Sequence, residues 1–293
     1  MEDKSEIGVA GPTYRRVVLN ATYISVQGGR LIGGWEDNPF KGELQIVLRG
    51  NHSTPEWAFP DGPNQGAKVL GVFGELDLHG LPHSVYKTKL LETAEAGSKI
   101  LSLVDAVDWQ EGEDVVITTT SYDLHQTEIR RIAKILHGHK ILILNDSLSY
   151  THLAERQWIS GTAQSYTLSA DVGILSRNIK IVGDDYSVLS KDSFGVRILV
   201  GSFTGNMMTF KGNARISNVE FHHSGQEGYR DSTDPRYAVT FLNLGQIQDH
   251  GLSYVRGCAF HHVFSPAIGV FGTDGVDIDD NIIYFTVGEG NMI

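Results

Sequence analysis

Two histidine pairs, His222-His223 and His261-His262, occupy matching places in a repeat. A neutral imidazole can move a proton near pH 7 or ligate a divalent metal. Adjacent residues on a strand point to opposite faces, so one histidine of each pair is expected to face inward and one outward. Two of the four could then meet across stacked turns and contact a glycan or a metal, whose identity the residue types leave open. The plainer expectation is a set of satisfied polar residues at a strand-to-turn junction. Asp274, Asp277 and Asp279, with Asp280 beside them, crowd a second junction. Carboxylate oxygens suit Ca²⁺, but the spacing lacks the EF-hand order, and a solvated acidic rim is the plainer reading. Asp231, Asp234, Arg236, Asp249 and His250 lie in and after a polar insertion at 225–237. Polysaccharide-cleaving solenoids need such groups converged on one face. Nothing in the spacing converges these, so no residue is assigned a catalytic role. Gly225-Gln226-Glu227-Gly228 lacks the lysine and the strand-helix context of a phosphate-binding loop. No cofactor is expected.

The elements that would position these groups are short strands. Asn178-Ile179-Lys180-Ile181 recurs as Asn218-Val219-Glu220-Phe221, as Gly257-Cys258-Ala259-Phe260 and as Asp280-Asn281-Ile282-Ile283, at offsets of 40, 39 and 23 residues. A second strand type, Ala238-Val239-Thr240-Phe241 and Ala267-Ile268-Gly269-Val270-Phe271, lies between them. Stacked short strands with loop insertions of variable length predict a parallel β-helix over 171–293, expected to continue beyond Ile293. Upstream, Gly-bounded β-rich runs predict a separate β domain over 17–170, after a loose lead-in at 1–16. One short helix is expected at Leu124–Leu136, where Ile129, Ile132 and Ile135 fall near helical spacing and Gly138 could end it. The fold class is therefore all-β with one short helix.

The composition narrows the partners. A net charge of −11 without a long basic run argues against nucleic acid. The single cysteine, Cys258, excludes an intrachain disulfide and is expected to be buried as a small apolar residue. No apolar run reaches the ~18 residues of a membrane span. Asn20, Asn51 and Asn145 open three N-glycosylation sequons.

Residues 17–170 resemble a G8 domain, a β-rich extracellular module. The resemblance rests on Gly71-Val72-Phe73-Gly74-Glu75-Leu76-Asp77-Leu78-His79-Gly80, on Val107-Asp108-Trp109-Gln110-Glu111-Gly112 and on Leu148-Ser149-Tyr150-Thr151-His152. Asp171-Val172-Gly173-Ile174-Leu175-Ser176-Arg177-Asn178-Ile179 is similar to the junction leading into the β-helix. Together these resemble the fibrocystin family, whose members are large single-pass membrane proteins with long ectodomains. The resemblance implies a G8 domain packed onto a right-handed parallel β-helix, at the extracellular face of the plasma membrane. Membrane association would come only through parts of the parent protein absent from this chain. It implies a scaffold and interaction surface for extracellular protein or glycan partners.

A related G8 branch degrades hyaluronan and carries a Tyr-Pro-Ile-His-Phe-His segment. Here that segment reads Tyr237-Ala238-Val239-Thr240-Phe241-Leu242, and further histidines of the branch fall on Arg197, Phe271 and Glu289. His261-His262 is kept. Threonine and leucine cannot replace an imidazole as base or ligand. A non-catalytic role is therefore expected, with hyaluronan binding or depolymerisation as the alternative.

Overall fold

A computed structural model of the 293-residue chain describes residues 16–58, 62–205, 208–227, 234–247, 252–288 and 290–292. The chain forms two compact units, one from Met1–Pro82 and Arg177–Ile293, the other from His83–Ser176. This partition differs from a division at residue 170. Strands between residues 16 and 79 share their sheets with strands after residue 179, and the second unit is an insertion in the sequence of the first.

The first unit is a parallel β-helix. One six-stranded sheet stacks Arg16–Ala21, Glu43–Leu48, Ile179–Gly183, Val219–His222, Ala259–Val263 and Ile282–Thr286, every neighbouring pair parallel. The register runs Leu19, Ile46, Ile181, Phe221, Phe260, Ile283, one residue per turn. These residues make an inward column, in which the Phe221 and Phe260 rings stack at 4.4 Å. The repeat offsets of 40, 39 and 23 residues are the spacings of this column. A larger sheet closes each turn. Val69–His79 runs its full length, pairing first with Arg197–Val200 and then with Asn213–Ser217. Leu70, Ile198, Val239 and Ile268 form one of its inward columns.

Two strands, Tyr23–Gly33 and Val69–His79, are long, each running through internal glycines. The first carries an irregularity between Gln27 and Arg30. Gly74 allows the second to pass there, because a Cβ would lie 2.3 Å from the Gly29 carbonyl oxygen. Of the 1–16 lead-in, Arg16 opens a strand and the remainder lies outside the described residues. Cys258 is fully buried in the solenoid core, and burial pushes its thiol up to about 12.

The second unit holds a six-stranded sheet, three of whose strands are Asp114–Ile117, Glu128–Leu136 and Ile141–Leu144, packed around Trp109, Leu101, Ile117 and Leu142. The helix expected at Leu124–Leu136 is corrected here. Leu124–Gln126 is one 3-10 turn, and Glu128–Leu136 is a strand hydrogen-bonded on both sides. A bulge between Ile132 and Lys134 inserts one residue, so Ile132 and Ile135 both turn to the core. That three-residue spacing imitates a helix in sequence. The helical content of the described residues is otherwise the four-residue turn Leu189–Asp192.

Candidate functional site

The last three turns of the first sheet each carry, at the strand end, a residue with left-handed backbone. His223, His262 and Phe285 have φ of 50°, 55° and 55°. In the preceding column His222 pairs with His261 and His261 with Tyr284. The left-handed residue breaks the strand alternation, so the expectation of one histidine inward and one outward is corrected. All four imidazoles gather into one cluster. His222 and His223 stack at 3.8 Å, His222 lies 4.9 Å from His261, and His222 lies 5.2 Å from His262, between ring centroids. The Nδ1 atoms of His261 and His262 are 3.0 Å apart.

Glu220 orders this cluster from the same outer face. Its carboxylate accepts from the Arg177 backbone amide at 2.9 Å, pairs with Lys180 at 2.7 Å and faces His261 Nε2 at 3.3 Å. Burial opposes its ionisation, but His261 and Lys180 outweigh that and hold it down at about 2. Burial and the neighbouring imidazoles lower His222 to about 3 and His262 to about 4. Burial also lowers His223. These three rings are neutral at pH 7, with lone pairs available. Beside them opens a cleft of about 580 Å³, lined by His223, His262, Tyr186, Asp185, Phe264 and Phe285. Lys68 lies fully buried nearby, its ammonium donating to the Asp184 and Phe194 carbonyls and lying 5.1 Å from the Tyr186 ring centroid. Burial lowers it to about 8.

A second cluster covers the outer face of the larger sheet. Arg197 is 1 % exposed and donates to the Asn64 and Gln65 carbonyls and to Asp234 at 2.9 Å. Asp234 also receives Arg236 at 2.9 Å, and Arg236 reaches Glu56 at 2.6 Å. Thr240 is 1 % exposed and donates to the Pro235 carbonyl. Leu242 packs with Val69 and Leu199, and Phe271 lies against them. Tyr237 covers Gly269, where a Cβ would meet its ring at 2.3 Å. Ion pairs and loop backbone therefore fill this face.

Two family models match the chain: a G8 domain at residues 5–91 and a CEMIP β-helix at 202–293. Human fibrocystin-L is 81 % identical over the whole of this chain. The chain belongs to the fibrocystin family. It spans 7 % of the length of fibrocystin-L. Dog fibrocystin is 30 % identical over 95 % of this fibrocystin-family chain and 6 % of its own length. The human cell surface hyaluronidase CEMIP2 is 27 % identical over 72 % of the chain and 15 % of its own length. The G8 match runs over the first two turns of the solenoid and into the inserted unit.

The other expected site residues fall apart from the histidines. Among the described residues, the one set of three metal-capable side chains with ligand atoms within 4.8 Å of one another is His222, His261 and His262. Asp274, Asp277 and Asp279 form no such set, and Asp277 pairs with Arg256 at 2.7 Å. Asn20, Asn51 and Asn145 are exposed. Asp234 and Arg236 belong to the ion network, whereas Asp231, Asp249, His250 and Glu289 lie outside the described residues. Sequence reasoning missed Glu220 and the left-handed corner. The signal for Glu220 was present, because it sits two residues before His222 and so shares its face. No helix among the described residues is long and apolar enough to cross a membrane.

Proposed function

We propose that this fibrocystin-family chain is a non-catalytic extracellular module, a rigid scaffold and interaction surface within a larger cell-surface protein. The observation that carries this reading is the buried network of Arg197, Asp234 and Arg236. It fills the outer face on which the resemblance to the hyaluronan-degrading branch sets histidines. Thr240 lies beneath the same cover and Leu242 is buried against Val69 and Leu199, so neither position offers a titratable group or access to a polymer. Parallel ladders along the full solenoid supply rigidity, and the exposed Asn20, Asn51 and Asn145 suit a glycosylated surface. Membrane association would rest with parts of the parent protein outside this chain, and the partners are extracellular proteins or glycans.

A second reading, recognition of a glycan such as hyaluronan, is favoured by the cleft beside His223 and His262, where Tyr186, Phe264 and Phe285 offer aromatic faces. Retention of the folded, monomeric chain on immobilised hyaluronan separates the two. The scaffold reading expects no retention. Saturable retention that is lost in Phe264→Ala would establish the glycan reading in its place.

A further inference from the structure

The histidine cluster brings three imidazoles within reach of one ion. His261 directs Nε2 at the Glu220 carboxylate at 3.3 Å, which places the ring proton there and leaves Nδ1 as a lone pair. That lone pair accepts from His262 Nδ1–H at 3.0 Å, and a tautomer shift of His262 to Nε2–H frees both Nδ1 atoms for a metal. In Zn²⁺ sites, nitrogens at ~2.0–2.1 Å from the metal stand about 3.4 Å apart along a tetrahedral edge, near the separation seen here. The ligand atoms of His222, His261 and His262 all lie within 4.8 Å of one another, so small side-chain rotations bring them onto one ion. Glu220 supplies the carboxylate behind a ligating histidine that metal sites commonly use to fix the tautomer and ring plane. It is itself held by Lys180 and the Arg177 amide. The left-handed His262 is what brings two neighbouring rings to one side. The cleft lined by His262 gives an access route and room for a fourth ligand from solvent.

We propose that His222, His261 and His262 bind one late first-row divalent cation, with Zn²⁺ the best fit, and that Glu220 is a positioning residue behind His261. Three nitrogen donors favour Zn²⁺, Co²⁺, Ni²⁺ or Cu²⁺ over the hard cations Ca²⁺ and Mg²⁺. The site is independent of the scaffold reading, which neither requires nor forbids it.

The test is titration of the untagged 293-residue chain with Co²⁺, read by its visible ligand-field absorption, followed by displacement with Zn²⁺. The expected result is saturation at one equivalent of Co²⁺ and loss of the band with one equivalent of Zn²⁺, while excess Ca²⁺ leaves the band unchanged. His262→Gln and His222→Gln should each abolish it, with far-UV circular dichroism confirming that both variants are folded. Glu220→Gln should retain the band but weaken affinity by about 10–100-fold. The double variant His137→Ala/His139→Ala, at an exposed turn of the inserted unit, should bind as the parent chain does. Absence of a stoichiometric band, or a band that survives in folded His222→Gln/His262→Gln, would overturn the proposal.

Discussion

Arg197 and Asp234 form an ion pair at 2.9 Å in which the guanidinium is 1 % exposed. The pair ties a strand of the larger sheet to the segment leading into Thr240. Arg197 also donates to the Gln65 carbonyl, so one side chain holds two covering segments in place. Removing one partner of a buried pair leaves the other charge uncompensated. Arg197→Ala should therefore destabilise the solenoid by about 3–5 kcal/mol, measured by urea unfolding. A change within ~0.5 kcal/mol, as for an ordinary surface site, would show that the cover is not structural.

Restoring imidazoles at positions 240 and 242 should harm the fold without creating a catalyst. Thr240 and Leu242 are both buried; the larger ring at position 240 costs about 1–3 kcal/mol by overpacking, and at position 242 an imidazole buries a polar group among apolar neighbours. The double variant Thr240→His/Leu242→His should melt below the parent chain in a thermal scan and leave hyaluronan intact. Gain of hyaluronan cleavage would mean that the face is open enough to act as a groove.

The inward column predicts a sharp contrast between two phenylalanines. Phe260 is fully buried and stacked on Phe221, whereas Phe285 is 58 % exposed. Phe260→Ala should cost about 3–5 kcal/mol. Phe285→Ala should stay within ~0.5 kcal/mol in the same unfolding assay. Equal costs would contradict the assignment of the column as the core.

In the inserted unit, burial opposes ionisation of Glu128, but the amides of Ser149 and Tyr150, with His152 and Arg130, outweigh it and hold its carboxyl below 4.5. Because the folded value is the lower one, the stabilisation is fully present above about 4.5 and is lost as pH falls through the folded value. Glu128→Gln should be less stable than the parent chain by about 1–3 kcal/mol at pH 7. The gap should close as pH falls below 4.5. A gap independent of pH would assign the effect to packing.

The solenoid was legible in sequence because each turn must deliver one residue to the same inward column. Phe221, Phe260 and Ile283 announce that stacking whatever the loop length between them. The first two turns were not legible as solenoid. Their strands are long, and residues 83–176 separate Val69–His79 from the next turn. The bulge at Ile132 disguised a strand as a helix, since an extra residue resets the period of two. The histidines were found by type, but their convergence was hidden by a backbone angle. Left-handed φ at a non-glycine residue leaves little trace in sequence, although Asn218, Gly257 and Asp280 adopt it together at the other end of the same strands. The ion network joins residues as far apart as Glu56 and Arg236, and no local spacing encodes such a pairing.

The central claim, a module without hyaluronan-cleaving activity, is tested most directly by the chain length of high-mass hyaluronan after incubation with the folded protein. Parallel incubations should contain Ca²⁺, Zn²⁺ or neither, beside an active hyaluronidase as control. The account predicts a polymer unchanged in length under all three conditions while the control shortens it. Shortening that grows with time and protein concentration would contradict it and place a catalytic site on this chain.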